Sequence, residues 1–247
     1  MMSLNKLLNY TGHRTAPLPK LPWIMHQKWE ELLSLHIPVD PAEILPHVPK
    51  ELALDLYDGK AWVSIFPFLI RDLGLRSIPK FPYFHKFLEL NVRTYVKYKG
   101  IPGVYFFSLD AEKVMPVLGA RTVTLPYYKA KMKKAEKYGW THYSSRRQHA
   151  GKAYFEARYK TLTSAAPAEK GTLDHWLFER YRLYQTIRGN VIHIDIHHLK
   201  WNLADVSIDY NPDSINSLLP GNIKGEPATA HYTPMLDVIF WPPVISE

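Results

Sequence analysis

Three polar side chains recur at every second position in Phe87-Leu88-Glu89-Leu90-Asn91-Val92-Arg93-Thr94-Tyr95. On a strand this spacing puts a carboxyl, an amide and a guanidinium on one face. There Arg93 could clamp a carboxylate with its planar fork while Glu89 and Asn91 orient it. The same spacing also suits a solvent-facing stripe that carries an in-strand ion pair. His193, Asp195 and His197 repeat the pattern with His198 adjacent, and imidazoles two residues apart can share a metal. Three same-face positions of one strand rarely form a facial triad, however, and the alternating Ile192, Ile194 and Ile196 explain the segment as an amphipathic strand. Neither a metal site nor any other cofactor is expected.

Without cysteine, a Gly-x-Ser-x-Gly elbow or a Gly-x-x-x-x-Gly-Lys loop, thiol, serine-elbow and P-loop chemistry fall away. Lysine chemistry remains. A lysine forms a Schiff base only when burial or another cation lowers its pKa from ~10.4 by roughly three units, about 4 kcal/mol. Lys133 and Lys134 are adjacent, but neighbours on a strand point to opposite faces, so adjacency alone does not pair them.

Hairpins must position these groups. The Asp58-Gly59 turn between Leu52–Leu56 and Ala61–Phe66 predicts one. Phe87–Lys99 and Gly103–Asp110 form a second pair, and Arg182–Ile187 and Val191–His198 a third, joined through Arg188-Gly189-Asn190. Leu125–Ala135, Thr141–Arg147 and Ala153–Lys160 read as a three-strand meander, and Met235–Phe240 as a closing strand. Helices are expected to be short: one after Asp40, with Pro41 in its first turn; a turn over Ala111–Met115; and one from Leu173 to Tyr181. Residues 11–23 and 211–227 have loop composition.

The chain has 247 residues with no linker-like stretch, so a single domain over residues 1–247 is expected. Hydrophobic residues make up 46%, enough for a large core, and the many aromatics favour a sheet over a helical bundle. The class is therefore mainly β (α+β), a strongly curved antiparallel sheet with a few short flanking helices. The absence of cysteine, of a signal-like amino terminus and of a membrane-length apolar run leads to the expectation of a cytoplasmic protein with no membrane partner. The net charge of +8 suits nucleic acid, an acidic membrane or an anionic metabolite and alone does not choose among them; an anionic small-molecule ligand is the expected partner. Basic residues from Lys129 to Arg147 leave a nucleic-acid or partner-binding module as a less favoured alternative. A homo-oligomer stays open.

Several segments in order carry a family resemblance: Phe87–Val96, Gly103–Asp110, Ala120-Arg121, Leu125-Pro126-Tyr127-Tyr128 and Glu179–Tyr184. Together they resemble the YqjF-like family of bacterial proteins, which is similar in fold to acetoacetate decarboxylase. The resemblance implies a cone-shaped β-barrel around a central cavity. In acetoacetate decarboxylase a Schiff-base lysine lies beside a second lysine, before a segment that corresponds by eye to Leu125–Lys129. Here the preceding Gly119–Thr124 has no lysine; Arg121 supplies a permanent cation that cannot form an imine near neutral pH. The candidate site is thus Glu89, Asn91, Arg93, Arg121 and Tyr127 around an organic acid, with Lys129 the candidate amine should the chain be a Schiff-base lyase.

Overall fold

The computed structural model describes residues 4–79, 82–113, 125–149 and 151–246. Its elements in chain order are α1 (Leu4–Asn9), β1 (Met25–Val39), α2 (Pro41–Ile44), β2 (Ala53–Leu54), β3 (Ala61–Leu75), β4 (Lys86–Tyr98), β5 (Ile101–Ala111), β6 (Tyr127–Lys137) and β7 (Trp140–Arg147). They continue with β8 (Tyr154–Thr161), β9 (Ala166–Pro167), α3 (Leu173–Phe178), β10 (Arg182–Ile187), β11 (Asn190–His197), β12 (Asn202–Tyr210), α4 (Pro212–Asn216), β13 (Thr229–Phe240) and β14 (Val244–Ile245). The expected mainly β class holds, with one large curved sheet and few, short helices.

Strand pairing closes two circuits that share five strands. One runs β4, β3, β1, β13, β11, β10 and β5, and closes through the β4–β5 pair. The other leaves β5 through β6, β7, β8 and β12 and returns at β13. Most neighbours are antiparallel; β5 pairs in parallel with both β6 and β10. Where β5 meets β10, a Cβ on Gly103 would lie 2.6 Å from the Arg182 carbonyl oxygen and from the Tyr184 ring, so glycine lets the two backbones meet.

Each circuit has its own core, and β3 and β4 are buried on both faces. Leu88, Leu90 and Val92 join Leu33, Leu35, Ile37, Val63 and Ile65 in one. Phe87 and Tyr95 join Trp29, Trp62, Phe66, Phe68 and Ile70 in the other. Period two in β4 therefore assigns its Leu-Val row to one core and its Glu-Asn-Arg row to the other. The row does not face solvent.

Local signals held in several places. Asp40 caps α2 by accepting from the Ala42 amide at 2.7 Å, with Pro41 in the first turn. Lys99 and Gly100, both at positive φ, turn β4 into β5. Thr172 caps α3. Other expectations require correction. The Asp58-Gly59 turn forms, but β2 pairs with Val96 and Lys97 of β4 and not with β3. Ala111 ends β5 and begins no helix; the rest of that expected turn, beyond Lys113, lies outside the described residues. Within 211–227, expected to be loop, Asn211 caps the short helix α4.

Candidate functional site

Inside the first circuit lies a cavity of about 230 Å³. From β4 it receives Glu89, Asn91 and Arg93, each 6% exposed or less. Gln27 comes from β1, Tyr127 from the start of β6, and Arg180 from the turn after α3. Across the circuit the lining is apolar: Leu183 of β10, Ile194 and Ile196 of β11, Phe240 of β13, then Trp241 and Pro243. Val104, Phe106 and Leu109 of β5 continue it. Polar groups thus gather on one wall.

The two guanidiniums differ in their compensation. Arg180 donates to Asp55 at 2.6 Å and to the Trp176 carbonyl at 2.7 Å, and it lies over the Trp176 ring at 4.3 Å. Asp55, 2% exposed, also receives Lys97 at 2.7 Å. Burial lowers the Arg180 pKa and Asp55 opposes that shift. Arg93 makes one bond, from Nη2 to the Leu177 carbonyl at 3.3 Å, and packs over Phe66 at 4.2 Å. Among the described residues no carboxylate pairs with it. A buried cation without an anion is costly, and its open side faces a cavity.

Four buried polar atoms on this wall have no hydrogen-bond partner among the described residues: Glu89 Oε2, Asn91 Oδ1, Arg93 Nε and Arg180 Nη2. Buried polar atoms are normally paired, so such a cluster marks a place built to meet something else. Burial pushes the Glu89 carboxyl up to about 8, aided by nearby Asp110 and opposed by its hydrogen bond to Asn91. Glu89 is therefore mostly a neutral acid at pH 7, able to donate a proton or a hydrogen bond. Burial, then the Glu89 charge, also raises the Tyr127 phenol well above its usual range.

The raised Glu89 pKa sets the sign of a stability effect. The folded state binds this proton more tightly than the unfolded chain does, so the contribution is full below about pH 4.5 and is lost as pH rises through about 8. Its size is roughly 5 kcal/mol. In urea denaturation at pH 5, 7 and 9, Glu89→Gln is expected to remove that decline and to exceed wild type most at pH 9. Parallel pH profiles for the two proteins would show that Glu89 ionises freely in the fold.

A buried hydrogen-bonded row lies behind Arg93. The Tyr95 hydroxyl meets Ser64 Oγ at 2.7 Å, and Ser64 meets His36 Nδ1 at 2.7 Å. Burial, then His231 and Arg93, hold the His36 pKa well below its ordinary value. Tyr95 in turn lies beneath both guanidiniums, with ring centroids 5.6 Å from Arg93 and 5.2 Å from Arg180. This row fixes the floor on which the two arginines rest.

Of the candidate residues, the structure brings Glu89, Asn91 and Arg93 to the cavity from one face of β4 and Tyr127 from the start of β6. Arg121 lies outside the described residues. Lys129 does not reach the cavity: its side chain is exposed and its amine donates to the Glu112 carbonyl. The physical reason is that β6 pairs with β5 only from Tyr127 to Lys129 and then runs on in the second circuit, so the face that begins at the cavity with Tyr127 continues into water with Lys129, Lys131 and Lys133. Lys134 pairs with Glu31. His193 and Asp195 approach each other at 3.4 Å but also turn to other partners: His193 bonds Ser246 at 2.8 Å and Arg182 donates to Asp195 at 2.9 Å, while His197 meets the Leu7 carbonyl at 2.9 Å. No cluster of three potential metal ligands forms among the described residues. Sequence reasoning missed Arg180, Asp55 and Gln27. Arg180 stood within the family-like Glu179–Tyr184 segment, whereas nothing local distinguished Asp55.

Comparison with known proteins agrees with this architecture. The chain is 44% identical over 234 residues to the uncharacterized protein YqjF of Bacillus subtilis (strain 168), covering 93% of this chain and 95% of that one. It is similar in fold to the enduracididine biosynthesis enzyme MppR, solved with the condensation product of pyruvate and imidazole 4-carboxaldehyde. That match has a TM-score of 0.62 and 11% identity, and covers 94% of this chain and 92% of that chain. An acetoacetate decarboxylase-like enzyme from Sphingomonas wittichii RW1 is similar at a TM-score of 0.61 and 12% identity, over 94% of this chain and 96% of the other. Among the described residues no helix is long and apolar enough to cross a membrane. Residues 26–237 match DUF2071, described as an uncharacterized conserved protein, and the chain belongs to that family.

Proposed function

We propose that the chain holds a small organic carboxylate in the cavity of the first circuit, and that Arg93 is the cation that receives it. The observation carrying this reading is a buried guanidinium with no anionic partner among the described residues, open toward the cavity beside a neutral Glu89. A carboxylate there would accept from Arg93 Nε and from Arg180 Nη2, while protonated Glu89 and the Asn91 amide orient it. Tyr127, which also lines the cavity, supplies a phenol. MppR, of similar fold, has been solved with a product formed from pyruvate, which is consistent with a carboxylate in such a cavity.

A Schiff-base lyase is the less supported reading. Among the described residues no lysine lines the cavity, and Lys129 is exposed. If a reaction occurs, the group poised for it is Glu89, which could give a proton to a bound carbonyl or enolate as a general acid. Two measurements test the proposal on the full chain. Titration calorimetry with acetoacetate and pyruvate is expected to give saturable binding that Arg93→Met abolishes; no heat with either acid counts against it. Borohydride treatment in the presence of acetoacetate is expected to leave the protein mass unchanged. A mass increase located to a lysine would restore the imine mechanism.

A further inference from the structure

We infer that the ligand is a monocarboxylate with an unbranched or lightly branched aliphatic tail, about six carbons long. This rests on the carboxylate reading above and goes further by naming the ligand class.

Three observations converge on it. The first is charge. Arg180 and the half-exposed Lys97, whose charge is screened by solvent, share Asp55 at 2.6 and 2.7 Å, Arg93 has no carboxylate partner among the described residues, and Glu89 is mostly neutral at pH 7. Among the described residues one buried positive charge, that of Arg93, is left for the ligand to match, so a monoanion balances it while a dianion would leave a buried excess of negative charge. The second is the division of the lining. The polar groups come mainly from β4, and the wall facing them is built from Leu183, Ile194, Ile196, Phe240 and Trp241. A second carboxylate or a phosphate at that end would be desolvated without donors, whereas methylene groups would be buried against matching surface. The third is size. At about 30 Å³ for each water-sized group, a cavity of about 230 Å³ has room for roughly eight non-hydrogen atoms. Three belong to the carboxylate, and about five carbons remain for the tail.

The wall also sets the grading. Each methylene moved from water onto it adds about 0.8 kcal/mol, or roughly fourfold in affinity, until the space is filled; the next one meets packed side chains and reverses the trend. A diffuse anion site would show no such optimum.

The test is titration calorimetry of the full-length protein with butanoate, pentanoate, hexanoate, heptanoate and octanoate, beside adipate and inorganic phosphate, repeated on Arg93→Met and Ile194→Ala. Affinity is expected to rise about fourfold per carbon to hexanoate and to fall by octanoate. Adipate and phosphate should bind at least tenfold more weakly than hexanoate. Ile194→Ala should move the optimum one or two carbons longer, because it enlarges the apolar end alone. Affinity independent of chain length, an optimum unmoved by Ile194→Ala, or preference for adipate or phosphate overturns the aliphatic class; if Arg93→Met still abolishes binding, the carboxylate reading survives. If no acid in the series binds, and acetoacetate and pyruvate do not either, both fall.

Discussion

Arg93→Met is expected to change two properties in opposite directions: the protein should resist unfolding better, and it should lose its hold on carboxylates. Among the described residues Arg93 has one bond, to the Leu177 carbonyl at 3.3 Å, an unpartnered Nε and no carboxylate. Its charge also acts against His36 and Arg180. Methionine keeps much of the side-chain volume and removes the buried charge, so the gain in unfolding free energy should be roughly 1–3 kcal/mol. With ligand present the same guanidinium is half of a buried charge pair, and its removal should cost about 2–4 kcal/mol of binding, or roughly 30- to 1,000-fold in affinity. Urea denaturation and calorimetric titration on one preparation read both effects. A variant that is less stable and binds normally would make Arg93 a structural residue.

The second large effect belongs to Asp55. It is 2% exposed and accepts from Arg180 at 2.6 Å and from Lys97 at 2.7 Å, joining β4 to the segment after α3. Asp55→Asn leaves the Arg180 cation buried with no counter-charge, and breaking such a pair on one side costs roughly 3–5 kcal/mol. Removing both charges, as Asp55→Asn with Arg180→Met, should recover most of that loss, since the penalty comes from the orphaned ion and not from the absent bond. Denaturation midpoints of the single and double variants decide it. A single-variant loss below about 1 kcal/mol, the range of exposed pairs, would mean that Arg180 escapes to solvent when its partner is lost.

Much of the sheet was readable because period two is a local property. Leu88, Leu90 and Val92 alternating with Glu89, Asn91 and Arg93 require two environments, whatever the rest of the chain does. What alternation could not tell is that both environments are interior, because that depends on two circuits sharing β3 and β4. The same lack of global information misplaced Lys129. Its parity matched Tyr127, but β6 runs on in the second circuit, where that face meets water. The β2 pairing was misread for a related reason: the Asp58-Gly59 turn predicted a local hairpin, but Asp55 is held by Arg180 and Lys97, which come from elsewhere in the chain. Arg180 acquires its role through a partner 125 residues away, a separation at which no spacing rule operates.

Met25 pairs with Phe240, and β1 and β13 stay together from there to His36 and Thr229. During synthesis, therefore, the ribosome must deliver every residue from Met25 to Phe240 before the first circuit can shut. At about 5–20 residues per second, β1 emerges some ten to forty seconds before its partner. Throughout that interval its Leu32, Leu33 and Leu35 lack the neighbour that later covers one edge, which makes the nascent chain a natural client for a holding chaperone.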